Sequence, residues 1–538
     1  MICSKEGGGD NSLVSKKKKQ KKFFLGDNKM KIKLSLFIVL LLVVGIFVTA
    51  LAEKEIAKQI VIGRLEDSND LDPITQDGNV NIWIFNLALE GLVKTSDDGT
   101  AIEPCLADSW DISEDGLTYT FHLKKGVKFS DGTPVTGEDW VWSFLRARDT
   151  KESIWKFSLT ALKDVTAPDD NTVILTLKEP WAPFLADLAM FNALVQKKAY
   201  YEKVGQEAYS QKPIGTGPYV IKEWKRGEYL LLEKNLYYHI KGLPKTDEIK
   251  FVVVADSNTR ILQLQAGQID VATFVPFNKM KELENDPQTK VVGFPSTETR
   301  TVVFNHTKKP FDDLRVRLAL EYATDKQALL NFILFGYGEV ATTYTSKAGK
   351  YFNYGLKDRG YDIDKAKALL AEAGYPDGFE TEFLLPSGNQ VYEQLAILLK
   401  EQWSKIGVKV NIIALEVGLA VTGYRTMNYE ISVHHWTDDI PDPSQQADRL
   451  FIPERTNCVW TGWRSDRAIE LVKQGVREIN PTKREQIYLE LQQIYYDEVV
   501  EMSMFYVPYP IAMRKDIEGF VQTPFGNYRF ENLVKYLK

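Results

Sequence analysis

Cysteine and histidine are scarce in this chain of 538 residues, with three of the first and five of the second. Metal centres and general-base chemistry draw most often on those two residue types, so both are poorly provided for. The histidines are His122, His239, His306, His434 and His435. Only the last two adjoin, and neighbours on a strand point to opposite faces, so both cannot easily ligate one ion. There is no His-Glu-x-x-His, no Gly-x-Ser-x-Gly and no phosphate-binding P-loop. Ser153-Ile154-Trp155-Lys156 matches the short Ser-x-x-Lys pattern of penicillin-recognising enzymes, but its companion motifs are absent in the required order and chance accounts for it. These absences predict a protein that is not an enzyme and has neither a resident metal nor a cofactor.

Basic charge is also lacking. The net charge is −6, and residues 1–52 hold ten lysines against three acidic residues. Without them 57 basic and 70 acidic residues remain, a net of −13, which argues against nucleic acid as a partner because that would call for a basic face. The single long apolar run, Leu34 to Val48, follows Lys29, Lys31 and Lys33 and precedes the small-x-small triplet Ala50-Leu51-Ala52. This order predicts a signal peptide over residues 30–52, a mature start at Glu53 and a periplasmic destination. An uncleaved anchor is the alternative, since the run approaches the roughly 18 residues that span a bilayer. Residues 1–29, with a Gly triplet and a lysine run, suit neither a core nor a signal peptide and read as a non-native or disordered extension. Cys3 falls in that extension. Cys105 and Cys458 stand far apart and read as buried or unpaired thiols, and no cysteine follows the signal region to carry a lipid.

What is present is an ordinary folded composition, 44% hydrophobic and 26% charged, long enough for two or three domains. From Thr118 to Phe144 a strand with alternating Tyr119, Phe121 and Leu123 leads through the turn Ser130-Asp131-Gly132-Thr133-Pro134 to a helix carrying Trp140, Val141 and Phe144. Thr136 and Asp139 have the spacing of a capping box. Val173, Leu175 and Leu177 alternate as another strand, and Pro213-Ile214-Gly215-Thr216-Gly217-Pro218-Tyr219 marks a tight return before a strand at Tyr229 to Glu233. Leu314, Leu318 and Tyr322 hold helical spacing. Helices are predicted at Asp364 to Ala373, ended by Gly374, at Leu395 to Ile406, ended by Gly407, and at Thr482 to Val499. Strands are predicted at Val408 to Ala414, Tyr429 to Val433 and Met502 to Val507.

These motifs, in this order from Ile60 to the C-terminus, resemble the peptide and nickel class, family 5, of extracytoplasmic solute-binding proteins of ABC importers, and most of all its oligopeptide-binding members. The resemblance implies an α/β fold, the two-lobed periplasmic-binding-protein architecture (type II, cluster C-like) with an extra inserted domain. Lobe I would comprise 53–92, 213–297 and 505–538, with Met502 to Val507 returning to it; the inserted domain II would be 93–212 and lobe III 298–504. Asp439, three residues after Trp436, falls where peptide-binding relatives keep an acid for the ligand's ammonium. The backbones of His435 and Thr437 around Trp436, and of Gln76, Asp77 and Gly78, match positions that hold the ligand main chain. Trp155 matches an aromatic wall, and Arg425 is a candidate partner for the ligand carboxylate. The segment Leu385 to Gln390, where dipeptide-selective relatives place an arginine, has no basic residue here, which favours longer peptides. The implied function is a monomer that binds oligopeptides and delivers them to a membrane permease. A dipeptide, a nickel or haem complex, or an oligosaccharide is the alternative solute for the same fold.

Overall fold

The computed structural model describes residues 55–76, 78–452 and 461–537. The extension, the signal region, Asp77 and Cys458 lie outside the described residues.

Two mixed sheets carry the architecture. The seven-stranded sheet runs in the order Thr289–Phe294, Tyr509–Arg514, Val271–Ala272, Gln59–Arg64, Glu248–Val253, Tyr229–Lys234, Tyr219–Lys225. Its central strand Gln59–Arg64 is parallel to both neighbours. Ile60 and Ile62, two residues apart, lie on one face and are fully buried, whereas Val61 on the other face is half-buried. The six-stranded sheet runs Glu339–Val340, Met502–Tyr506, Thr299–Phe304, Ile431–Trp436, Glu380–Pro386, Lys409–Leu415. Its core includes Phe304, Phe383, Leu399, Trp403 and Met504, and each such large apolar side chain contributes about 1.5–3 kcal/mol on burial. A third, four-stranded antiparallel sheet lies between Ala107 and Leu177.

The chain passes between the two large sheets twice, after Phe294 and again after Tyr506. The second passage corrects one expectation. Met502–Tyr506 stays paired with Thr299–Phe304, and the strand that returns is Tyr509–Arg514. Pro508, which has no N–H to give a ladder, stands between them. A second correction concerns Tyr429 to Val433: the strand is Ile431–Trp436, because Thr299–Phe304 pairs with it residue by residue up to Trp436.

Local signals set several boundaries. Thr136 caps Gly137–Asp149 through a complete capping box with Asp139. Gly374 and Gly407 follow their helices at φ of 91° and 81°, a region open to glycine at little cost. Trp403, inside Gln390–Ser404, is fully buried and donates its indole N–H to the Thr324 hydroxyl at 2.9 Å.

Candidate ligand-binding site

The strand Ile431–Trp436 organises the site. On one side its whole length pairs with Thr299–Phe304, Arg300 lying opposite His435 and Thr299 opposite Trp436. On the other side Glu380–Pro386 pairs only with Ile431 and Ser432. From Val433 onward that edge of the ladder is therefore open, and unpaired backbone donors and acceptors on an edge are a template for another strand. The strand's last residues leave the core as they approach this edge: Val433 is buried, His434 half-buried and His435 exposed.

Beyond Trp436 the chain turns through Thr437, Asp438 and Asp439. The Asp438 N–H donates to the Thr297 hydroxyl at 2.9 Å, tying the turn to the strand's partner. Ile440 then packs among Leu71, Trp83 and Tyr509, in the core built on the seven-stranded sheet. The turn thus spans the gap between the two large sheets. Gln445 grips Asp439 twice: its side-chain oxygen accepts the Asp439 N–H at 2.8 Å, and its amide donates to the carboxylate at 2.7 Å.

Two adjacent carboxyls are starved of water here. Burial pushes Asp439 up to about 7, opposed by the Gln445 hydrogen bond. Asp438 is pushed up to about 8 by burial and then by the neighbouring Asp439 charge, with the Trp436 indole N–H at 3.1 Å and Arg449 acting against the rise. Of the nearby cations, Arg484 forks onto Asp442 at 2.5 and 2.7 Å, while Arg449, stacked 5.0 Å over Trp436, lies 3.6 Å from the buried Glu501 without a hydrogen bond from its Nη1. The turn therefore holds acid in excess of base, in a setting where an unpaired charge is costly.

Trp155 and Gln76 are brought together, the indole N–H donating to the Gln76 carbonyl at 2.7 Å. Trp155 also sits edge-on to Phe191, with ring centroids 4.9 Å apart. Gly78 is the N-terminal cap of Asn79–Ala88, in extended conformation. Arg425 is exposed on the last turn of Val417–Arg425. Burial and the Glu90 charge push the Cys105 thiol well up, and it forms no disulfide. Among the described residues no group of three His, Cys, Asp or Glu side chains could hold a metal ion. Gln445, Arg449, Tyr509 and Arg300 were absent from the sequence-based set. Only Arg300 leaves a local trace, as a lone cation at the start of a strand that ends in Val302, Val303 and Phe304.

Two α/β lobes joined by an acidic turn at the end of a half-paired strand have the architecture of extracytoplasmic solute-binding proteins. Residues 101–457 match the profile described as bacterial extracellular solute-binding proteins, family 5 Middle, and the chain belongs to that family. Heme-binding protein A of Haemophilus influenzae is 31% identical over 466 residues, covering 81% of this chain and 84% of that protein. Among solved structures, the periplasmic binding protein DppA of Helicobacter pylori, in complex with the peptide STSA, superposes with a TM-score of 0.78 at 27% identity, covering 90% of this chain and 99% of that one. The oligopeptide-binding protein AppA of Bacillus subtilis, in complex with a nonapeptide, gives 0.76 at 26% identity, covering 90% and 100%. No helix among the described residues is long and apolar enough to cross a membrane.

Proposed function

We propose that this protein is the extracytoplasmic substrate-binding component of an ABC importer, closing on oligopeptides and handing them to the permease without chemistry of its own. One observation carries the reading: a desolvated carboxyl, Asp439, held by a neutral partner at the end of a strand whose edge is half open. A peptide supplies what both features lack. Its ammonium is a cation at a fixed place, whatever the sequence, and its main chain completes the ladder along His435, Trp436 and Thr437. Each backbone bond contributes only about 1 kcal/mol, so several act together. Gln76, Asp77 and Gly78 would hold the ligand from the other lobe, with Trp155 as an aromatic wall and Arg425 as a carboxylate partner for longer peptides. The relatives solved with STSA and with a nonapeptide support the peptide class. Bound peptide bridging the lobes favours the closed form that the permease reads. Export through residues 30–52 and action as a monomer belong to the same proposal.

A second reading, a haem ligand, is favoured by the 31% identical relative. Native mass spectrometry of the purified protein, with an absorbance spectrum, decides between them. A ladder of peptide masses is expected. One porphyrin species with its visible absorption would overturn the peptide reading, as would a protein that takes up no added peptide.

A further inference from the structure

Two cations near the turn keep a buried Nη1 without a hydrogen-bond partner, Arg449 and Arg300, whereas Arg484 is forked onto Asp442. Arg449 is 5% exposed and stacked on Trp436 beside the buried Glu501, while Arg300 faces the exposed end of the strand. The Arg300 Nε donates to Glu298 at 2.8 Å, its side chain retains 15% exposure, and its buried Nη1 has no hydrogen-bond partner among the described residues. A guanidinium donor without an acceptor is a costly vacancy, and the planar fork suits a carboxylate. Arg300 lies directly opposite His435, and facing residues of an antiparallel pair share one face of the sheet. His435 is exposed there, its Nδ1 engaged by the Tyr392 hydroxyl. With the phenol as donor, the imidazole proton rests on Nε2 and offers a second donor beside the guanidinium.

Resting on the peptide reading above, we infer that Arg300, assisted by His435, receives the ligand's terminal carboxylate and so selects short zwitterionic peptides. Asp438 bonds to Thr297, and Arg300 is three residues further along that segment. At ~3.3 Å per extended residue the backbones of Thr297 and Arg300 are separated by at most ~10 Å. An extended peptide of about three residues spans the same distance between its ammonium and its carboxylate. Arg300 thereby supplies from Thr299–Phe304 the cation that Leu385 to Gln390 lacks.

Calorimetric titration with trialanine, trialanine amide, N-acetyl-trialanine, hexaalanine and hexaalanine amide tests this. Trialanine is expected to bind at least tenfold more tightly than its amide, with the two hexaalanine forms within twofold of each other. Arg300→Gln should bring the trialanine pair within twofold, and Arg300→Lys, which keeps charge without the fork, should give an intermediate ratio. An acid-to-amide ratio within twofold in the unmodified protein, or a tenfold ratio surviving in Arg300→Gln, overturns the assignment. If peptides bind and N-acetylation abolishes binding, the peptide reading stands whichever way the amide ratio falls. If no peptide binds, the peptide reading fails and the inference with it.

Discussion

Replacing Asp439 by Asn should weaken the protein's grip on peptides while making the ligand-free fold harder to unfold. The amide is nearly the same size and still offers an oxygen to the Gln445 NH2 group, so packing is preserved. What disappears is a charge in a water-poor turn. Truncating one partner of a buried, hydrogen-bonded charge pair costs about 2–5 kcal/mol, or roughly thirtyfold to several-thousandfold in affinity. The effect on the empty protein has the opposite sign. The folded carboxyl titrates at about 7 against an ordinary 3.8. Its contribution to stability is thus present below about pH 4 and is lost as pH rises through 7. At pH 8 the native protein holds an uncompensated carboxylate that Asn cannot form. A rise of about three pKa units corresponds to at most about 4 kcal/mol, and the residual solvent contact of the half-buried side chain reduces this to about 2. For a unit the size of Ala57–Lys535, at about 2.1 cal/mol/K per residue, that gain appears as a rise of about 2 °C in Tm. Calorimetry with a short peptide reads the first effect, and scanning calorimetry of ligand-free protein at pH 8 reads the second. Unchanged affinity would refute the ammonium-anchor role, and a lower Tm in the variant would refute the desolvated carboxylate.

Peptide affinity should also depend on pH. Asp439 must be ionised to hold an ammonium, and it titrates at about 7 in the empty protein, so affinity should fall as pH drops below 7, by about tenfold per unit; a flat profile between pH 5 and 7 would contradict the assignment. Asp442 behaves in the opposite sense. Arg484 holds its carboxyl below the usual range, so its stabilisation is present above about pH 4 and fades on acidification. Asp442→Asn should cost about 3–5 kcal/mol by stranding the buried guanidinium, and a thermal melt showing no loss would exclude that. Gly407→Ala should lower Tm, because φ is 81° there and a Cβ would come within 2.4 Å of the Asp377 carbonyl oxygen; an unchanged melt would show that the Asp377–Gly378 turn yields freely.

Much of the local structure was legible from sequence because its causes are local. The Thr136–Asp139 box, the glycine ends at Gly374 and Gly407 and the alternation at Val173, Leu175 and Leu177 each need only a few neighbouring residues. The end of Ile431–Trp436 was misplaced for the converse reason. The apolar signal stops at Val433, and the strand continues through two histidines and a tryptophan because Thr299–Phe304, more than a hundred residues upstream, goes on pairing with it. The same limit hid part of the site. Gln445 reaches Asp439 from the first turn of Ser444–Phe451, and the Tyr509 hydroxyl feels the Asp439 charge from the far end of the chain. Neither residue type at either position announces such a contact.

The double passage between the large sheets restricts how the halves can move. A single thread would let them swivel about it, whereas two threads, beside Phe294 and Tyr506, behave as a pair of pins on a door. Rotation about the line joining them remains soft, and torsion across it meets two stretched backbones. The opening proposed above would then follow one arc and return Ile440 to the cluster of Trp83 and Tyr509 in a single alignment.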